Sequence, residues 1–220
     1  MEIISQLGEQ PLSLIALLFI LSLLPLMVVV GSCFLKITVV LSLLRNALGI
    51  QQIPPNMAIY GLSLILTMYI MAPLGYNARN IISQDKINLS NPSLYEDMNK
   101  SILVPYKEFL NGQTESRHIS FFSKMTAKIW PEKMVAAVPP DSLFIMIPAF
   151  TVSQLTEAFK IGLLLYLPFI AIDLIISNIL LAMGMMMVSP VTISLPFKIL
   201  LFVAIGGWER LLTQLVASYQ

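Results

Sequence analysis

The chain has 220 residues, of which 57% are hydrophobic and only 11% are charged, and its mean hydropathy is +0.82. Soluble globular domains carry about 25% charged residues, so this composition excludes a soluble protein and predicts a polytopic integral membrane protein. The formal net charge of +1 provides no basic field for nucleic acid, and a single cysteine excludes an internal disulfide.

The first apolar segment runs from Leu12 to Val30 and is predicted to be a retained membrane segment. Glu2 and Glu9 stand where the n-region of a secretory signal peptide would carry Lys or Arg, and no small-x-small cleavage site follows closely. Cys33 ends the sequence VGSC, but no basic n-region precedes it. It is therefore interpreted as a cysteine at a helix end rather than as a lipid-attachment site.

The distribution of charge divides the chain into apolar and polar regions. Residues 10–35 and 46–78 contain no charged side chain, whereas residues 79–141 contain eight Lys or Arg and seven Asp or Glu. Residues 142–208 are again apolar except at four positions. The pattern predicts three regions: N-terminal membrane helices with a basic connection (1–76), a soluble insert (77–141), and C-terminal membrane helices with a methionine loop (142–220).

Two predicted spans, about 12–32 and 56–74, flank a further predicted helix in the first region. That helix, CFLKITVVLSLLRNALG, carries Lys36 and Arg45 and ends at Gly49, which suits the C′ position of a helix. A second apolar pair is expected after the insert, so hydropathy predicts four spans in all.

Pro54-Pro55 interrupts the chain after this helix, and the next helix is predicted to start near Met57. The connection between the first two spans has two basic residues and no acidic ones, which favours the cytoplasmic side of the membrane. The N-terminus and the 77–141 insert are therefore predicted to lie outside.

The insert mixes both signs of charge and contains turn signals at Asn91-Pro92 and Asn111-Gly112. Short helices with loops are predicted, for example over residues 93–110 and 116–130. The only histidine, His118, has no carboxylate pair, metal-ligand cluster or glycine-rich phosphate loop around it in the sequence and is interpreted as a surface residue. No catalytic, metal or cofactor site is predicted.

Four ionisable residues interrupt the apolar C-terminal region: Glu157, Lys160, Asp173 and Lys198. Exposed to lipid, the four together would cost on the order of 10 kcal/mol on insertion scales, so they are expected to face protein or water and to form pairs. Glu157 and Lys160 can share one helical face, whereas Asp173 and Lys198 have no opposite charge nearby in the sequence. Their partners are expected elsewhere in the fold or on another subunit, with Lys36 and Arg45 as the available cations of this chain. The alternative is that the charges mark short interfacial helix ends, which fits Lys198 best and Asp173 worst.

Pro148 and Pro168 lie in the same apolar sequence, and the backbone groups that they free need partners that lipid cannot supply. Charges and prolines together therefore indicate a packed oligomer or a water-lined assembly. The predicted fold is an all-α integral membrane protein with two helical hairpin-like halves, kinked helices and a soluble helical insert, assembling into a ring or helical oligomer. Lys36, Glu157, Lys160, Asp173 and Lys198 are the candidates for ion pairs between subunits.

The sequence AMGMMMVSP, residues 182–190, concentrates methionines at the end of a long apolar run. Gly184 and Ser189-Pro190 favour a loop, and three consecutive methionines, Met185 to Met187, cannot share one helical face. Methionine is flexible and adapts to irregular surfaces, so copies of such a loop in a ring would form a deformable apolar constriction. The alternative, that these methionines fill a transmembrane core, remains open at this point.

Two long segments carry a resemblance to a known family. LLRNALGIQQIPPNMAIYGLSLILTMYIMAP, residues 43–73, and the segment 147–202, which includes SQLTEAFKIGLLLYLPFIAIDLIISNILLAMGMMMVSP, resemble the two signatures of the FliP/YscR (SctR) family. Members are core export-gate subunits of flagellar and virulence type III secretion systems in the bacterial inner membrane. The entry into an apolar segment without a cleavable signal is similar to the virulence, or injectisome, branch.

The resemblance implies a pentamer that joins two smaller export-gate membrane subunits in a helical, funnel-shaped complex, together with the substrate-switch export protein. It implies that helices with the hydropathy of spans are largely lifted above the bilayer in the assembled state. It implies a methionine gasket around the path of unfolded polypeptides, which matches Met185, Met186 and Met187 here. It implies no enzymatic activity and no cofactor.

Two other functions are alternatives to the export gate. A small-ion or solute transporter would use Asp173 as its ion site, but the two apolar halves do not resemble each other, as the halves of many transporters do. An intramembrane hydrolase would need a nucleophile and a base on facing segments, and the sequence provides no such pair.

Overall fold

The computed structural model describes residues 11–50, 53–82, 102–139 and 141–219, and within these ranges the chain is helical with no strand. The all-α fold predicted from the sequence is confirmed. In chain order the helices are α1 (Pro11–Val30), α2 (Phe34–Leu48), α3 (Asn56–Ile82), α4 (Val104–Gly112), α5 (Ser116–Ile129), α6 (Glu132–Ala137), α7 (Leu143–Ala182), α8 (Pro190–Ala204) and α9 (Gly207–Ala217). The turn signal at Asn91-Pro92 and the first part of the helix predicted over 93–110 lie outside the described residues.

The break between α1 and α2 and the end of α2 follow the signals in the sequence. Residues 21–30 of α1 meet α2 at an angle of 62°. Cys33 lies at this break, at a helix end as predicted, and it is fully buried. Gly49 ends α2 in the left-handed conformation at φ +77°, where an L side chain would be strained. After Pro54-Pro55, α3 starts at Asn56 and continues to Ile82, beyond the predicted end at residue 74.

The longest element is α7, which runs without interruption for 40 residues through Pro148 and Pro168. At 1.5 Å per residue it is about 60 Å long, roughly twice the hydrocarbon core of a bilayer. Both α3 (over Asn56–Tyr76) and α7 are long and apolar enough to cross a membrane, and up to four spans result if each bent pair of helices counts as one. The four spans predicted from hydropathy are the upper limit of this range.

The helices of the insert pack against the first half of α7. The backbone N–H of Glu115 donates to Ser153 Oγ at 3.0 Å, and Gln154 Nε2 donates to the carbonyl of Gln113 at 3.0 Å. Tyr106 of α4 donates from its hydroxyl to the carbonyl of Gly31 at 2.9 Å, so the insert also contacts the α1–α2 break. His118 is half-buried, so its interpretation as a surface residue is only partly right.

The core lies around α2, which packs most extensively against α7 and also contacts α3 and α8. Its buried apolar side chains include Ile37, Val40 and Leu44, and it approaches α7 closely where Gly162 faces Leu43. A helix of the N-terminal region thus forms its main interface with a helix of the C-terminal region. A smaller cluster of Leu110, Met146 and Phe150 joins α4 to the start of α7.

Candidate functional site

The methionine-rich sequence forms an exposed loop between α7 and α8. α7 ends at Ala182, Gly184 has φ +74°, and α8 begins at Pro190. Gly184 tolerates the left-handed turn, and a proline suits the first turn of the helix that follows, so the sequence itself ends one helix and starts the next. The backbone N–H of Met185 donates to the carbonyl of Leu180 at 2.9 Å, which closes the turn.

The side chains of this loop are open to their surroundings in the single chain. Met187 is 100% exposed and Met186 is 80% exposed, and Met185 is also exposed. The predicted loop is therefore present, and these three methionines do not fill the core of their own chain. That they line a passage remains a prediction.

A buried ion pair lies where α8 returns along α7. Lys198, which is 3% exposed, places its Nζ 2.7 Å from Asp173 Oδ2 and also donates to the carbonyl of Ala47 at 3.2 Å. Ser194, one turn before Lys198 on α8, donates from its hydroxyl to Asp173 Oδ1 at 2.5 Å. Both carboxylate oxygens of Asp173 are thus satisfied by α8, and the pair also holds the C-terminal end of α2.

A second buried pair joins α2 to α7. Lys36 is 1% exposed, and its Nζ lies 2.5 Å from Glu157 Oε2 and 4.4 Å from the centroid of the Tyr219 ring. The Tyr219 hydroxyl donates to Gln154 Oε1 at 2.6 Å, so the C-terminal residues of the chain join the same network. A buried ammonium is tolerated only with such partners, because removing the charge from water costs several kcal/mol.

Lys160 forms a more exposed pair with the insert. Its Nζ lies 2.8 Å from Glu115 Oε1, and Arg117 contacts the other oxygen of the same carboxylate at 2.6 Å. The hydrogen bond from Lys160, assisted by the charge of Arg117, lowers the pKa of Glu115 below its usual value. This pair fixes the start of α5 against α7.

All five charged residues singled out from the sequence find partners within one chain, whereas the sequence alone left the pairs unassigned. Glu157 and Lys160 share a face of α7 yet bind different partners, because Lys36 and Glu115 are brought in by α2 and the insert. Asp173 binds Lys198, not the two cations proposed for it, because α8 folds back antiparallel along α7. Pairing between subunits is not required to satisfy these charges in the described structure.

Several residues of these networks were missed in the sequence. Ser194 lies four residues before Lys198 and Gln154 three residues before Glu157, so helical spacing could have indicated both. Tyr219 and Glu115 carry no such signal, since their contacts arise only from the packing of distant elements. In the part of the chain that is described, no three His, Cys, Asp or Glu side chains are grouped as metal ligands.

Much apolar surface remains exposed along the long helices. Large side chains with more than half of their surface accessible occur on α3, α7 and α8, for example Met68, Leu164 and Leu200. Scattered exposed apolar residues are normal on soluble proteins, but exposed faces of this extent indicate contact with lipid or with other subunits. The described residues therefore present polar networks inside and apolar faces outside.

Comparison with known proteins gives matches over almost the whole chain. A model of the FliP family matches residues 17–215. The virulence protein YscR of Salmonella typhimurium is 53% identical over 213 residues, covering 97% of this chain and 99% of that protein. The Yop proteins translocation protein R of Yersinia pestis is 54% identical over 94% of this chain and 96% of its own length. The harpin secretion protein HrcR of Erwinia amylovora is 44% identical over 95% of this chain and 96% of that protein.

Proposed function

Because the chain belongs to the FliP family, we propose that it is a core subunit of the export gate of a type III protein secretion system of the virulence branch. The observation that carries this proposal is the near-full-length similarity to relatives named for virulence, Yop translocation and harpin secretion. The role is that of a conduit component in the bacterial inner membrane and not of an enzyme.

The gate acts as an oligomer, a pentamer by the family resemblance, joined by two smaller membrane subunits and by the substrate-switch export protein. The exposed apolar faces of α3, α7 and α8 support this assembly, since they need either lipid or neighbouring subunits. Among the charged candidates, Glu157 keeps the capacity for a contact between subunits. Its side chain is 33% exposed, and within the described residues only its Oε2 binds a cation.

In this assembly the methionine loop forms a gasket around the path of unfolded polypeptides. Thioether side chains are apolar enough to exclude water and ions and flexible enough to yield to side chains of different size. The exposure of Met186 and Met187 supports this role, because the described part of their own chain leaves most or all of these side chains uncovered. The insert is placed on the periplasmic side, and the end of α2 that carries Arg45 is placed on the cytoplasmic side together with the α2–α3 connection, as the positive-inside rule favours.

The transporter alternative is not favoured by the geometry of Asp173. Lys198 and Ser194 contact both of its carboxylate oxygens, and the ammonium of Lys198 neutralises its charge, so a transported cation would have to displace Lys198. Such an arrangement fits a structural ion pair better than an ion-binding site.

The proposal is tested first by deleting the gene in the bacterium that carries it. We expect type III substrates to disappear from the culture medium while signal-peptide-dependent export continues, and a plasmid copy of the gene to restore them. Unchanged type III secretion in the deletion strain would rule out the proposed role.

The gasket is tested by the triple change of Met185, Met186 and Met187 to Ala. Removing three long side chains per copy should widen the constriction and raise the ion conductance of purified complexes in planar bilayers, while secretion is largely kept. Replacing the same residues by Leu, which keeps the apolar volume, should leave conductance low. Met57→Ala, at a similarly exposed methionine on α3, is the matched control, and equal conductance in all variants would count against a gasket.

A further inference from the structure

An apolar groove of about 350 Å³ opens to the surface between α2, α3, α8 and α9. Leu41 and Leu44 of α2, Leu62 of α3 and Phe202 of α8 form its walls. Pockets of 300–1,000 Å³ that are lined mainly by apolar side chains are typical of sites for small apolar ligands. No function described above uses this groove.

The rim of the groove carries one cation, Arg45. Its Nη1 donates to Asn56 Oδ1 at 2.6 Å and to the carbonyl of Pro54 at 3.3 Å, which holds the guanidinium in place. Among the residues that the structure describes, Arg45 makes no salt bridge, unlike Lys36, Lys160 and Lys198. A guanidinium has five N–H donors, and these two contacts leave donors for an anion.

The position of Arg45 relative to the apolar walls defines the chemistry of the occupant. Arg45 is in the last turn of α2, and Leu41 lies about 6 Å further from the α2–α3 connection along the helix axis. Trp208, 44% exposed, also lines the groove, and tryptophan is enriched where a membrane meets water. The groove therefore combines a cation beside the connection with an apolar channel that leads away from it.

We propose that this groove binds an acyl chain of an anionic phospholipid whose phosphate contacts Arg45. Basic pockets between membrane helices on the cytoplasmic side are suited to anionic head groups, and the apolar walls match the acyl chain. A second copy of this chain would have to bring a carboxylate to Arg45 and an apolar wedge to the walls at once. The proposal does not depend on a role in secretion, so the two can fail separately.

The chain contains two tryptophans, so Trp130→Phe leaves Trp208 as the only tryptophan reporter at the groove. The full-length Trp130→Phe protein is reconstituted into phosphatidylcholine vesicles that contain a minor fraction of a lipid with brominated acyl chains, either phosphatidylglycerol or phosphatidylcholine. Bromine quenches tryptophan fluorescence on contact. We expect the groove to bind brominated phosphatidylglycerol about fivefold more tightly than brominated phosphatidylcholine, because the attraction of one cation to anionic lipid corresponds to about that ratio.

Variants separate the site from general attraction of anionic lipid. Arg45→Gln should abolish the preference and Arg45→Lys should keep part of it, whereas Arg210→Gln, an exposed cation two residues from Trp208, should leave it unchanged. Ala58→Phe should fill the groove and reduce quenching by both lipids. Circular dichroism confirms that each variant is folded.

Three results would overturn the proposal. They are equal quenching by the two lipids in the Trp130→Phe protein, a preference that survives Arg45→Gln, and absence of quenching together with a cross-link from the groove to a second copy. The last result would assign the groove to an interface between subunits.

Discussion

The buried pair between Asp173 and Lys198 gives the sharpest test of the fold, and Asp173→Asn is the informative change. The substitution keeps the size of the side chain and the acceptor for Ser194, but it removes the charge that neutralises Lys198. Lys198 then keeps only the neutral carbonyl of Ala47 as a partner in the described structure.

The expected loss follows from the burial of the two groups. Removing one partner of a buried ion pair costs about 3–5 kcal/mol, because the other charge stays buried without compensation. Lys198 is 3% exposed, but Asp173 is 31% exposed, so solvent screens part of the interaction and we expect a loss of about 2–4 kcal/mol. Lys198→Met should lower the free energy of unfolding less than Asp173→Asn does, because the partly exposed carboxylate of Asp173 can be hydrated.

The assay is a double-mutant cycle on Asp173→Asn, Lys198→Met and the combined variant. Unfolding is followed by circular dichroism as a denaturing detergent is titrated into a mild one. A coupling energy of about 1.5–3 kcal/mol is expected for groups in direct contact. The control is Lys107→Met, which breaks the exposed pair of Lys107 with Asp141 and should change stability much less, because solvent screens this pair. Additive effects of the two buried substitutions would refute the pairing.

Two further predictions concern packing and pH. Gly162→Ala should destabilise the protein by about 1–2 kcal/mol, because the added methyl group would collide with Leu43. Gly61→Ala on α3, which has open space around it, should stabilise the protein by about 0.5–1 kcal/mol. Detergent-induced unfolding measures both changes. Because the pKa of Glu115 is lowered in the folded state, its pairing stabilises the fold fully at pH values above the unfolded pKa of about 4.3. This stabilisation is lost as the pH falls through the folded pKa. The stability difference between the natural chain and Lys160→Gln should therefore be constant at neutral pH and shrink below about pH 4.3.

The parts of the structure that the sequence predicted are those set by local chemistry. Gly49 ends α2 in a conformation with positive φ, which glycine adopts more readily than other residues. Pro54-Pro55 prevents α2 from continuing, because proline cannot extend a helix, and α3 starts directly after it. The loop between Gly184 and Pro190 follows from the same two rules. Each signal acts over a few residues, so it can be recognised without knowledge of the tertiary fold.

The pairs of charged residues could not be predicted in the same way, because they depend on which helices lie side by side. Lys36 and Glu157 are 121 residues apart and Lys198 lies 25 residues after Asp173. The sequence showed that each charge needed a partner, but it did not show which residue would lie close enough to form the pair. The continuity of α7 through Pro168 was equally hidden, since proline removes one backbone hydrogen bond but neighbouring turns can keep the helix intact.

The spacing of charges on α7 shows why pairs within the subunit would favour the crossing of lipid by this helix. From Lys160 to Asp173 the helix rises about 20 Å, which is less than the roughly 30 Å of a hydrocarbon core. A perpendicular α7 that crosses lipid therefore brings at least one of these charges to hydrocarbon depth, wherever it is placed. Pairing of Asp173 with Lys198 and of Lys160 with Glu115 within the described chain reduces the cost of that position. If the proposed oligomer forms, the charges on α7 are already paired within the described chain, and the apolar faces that this chain leaves exposed are the surfaces left for association.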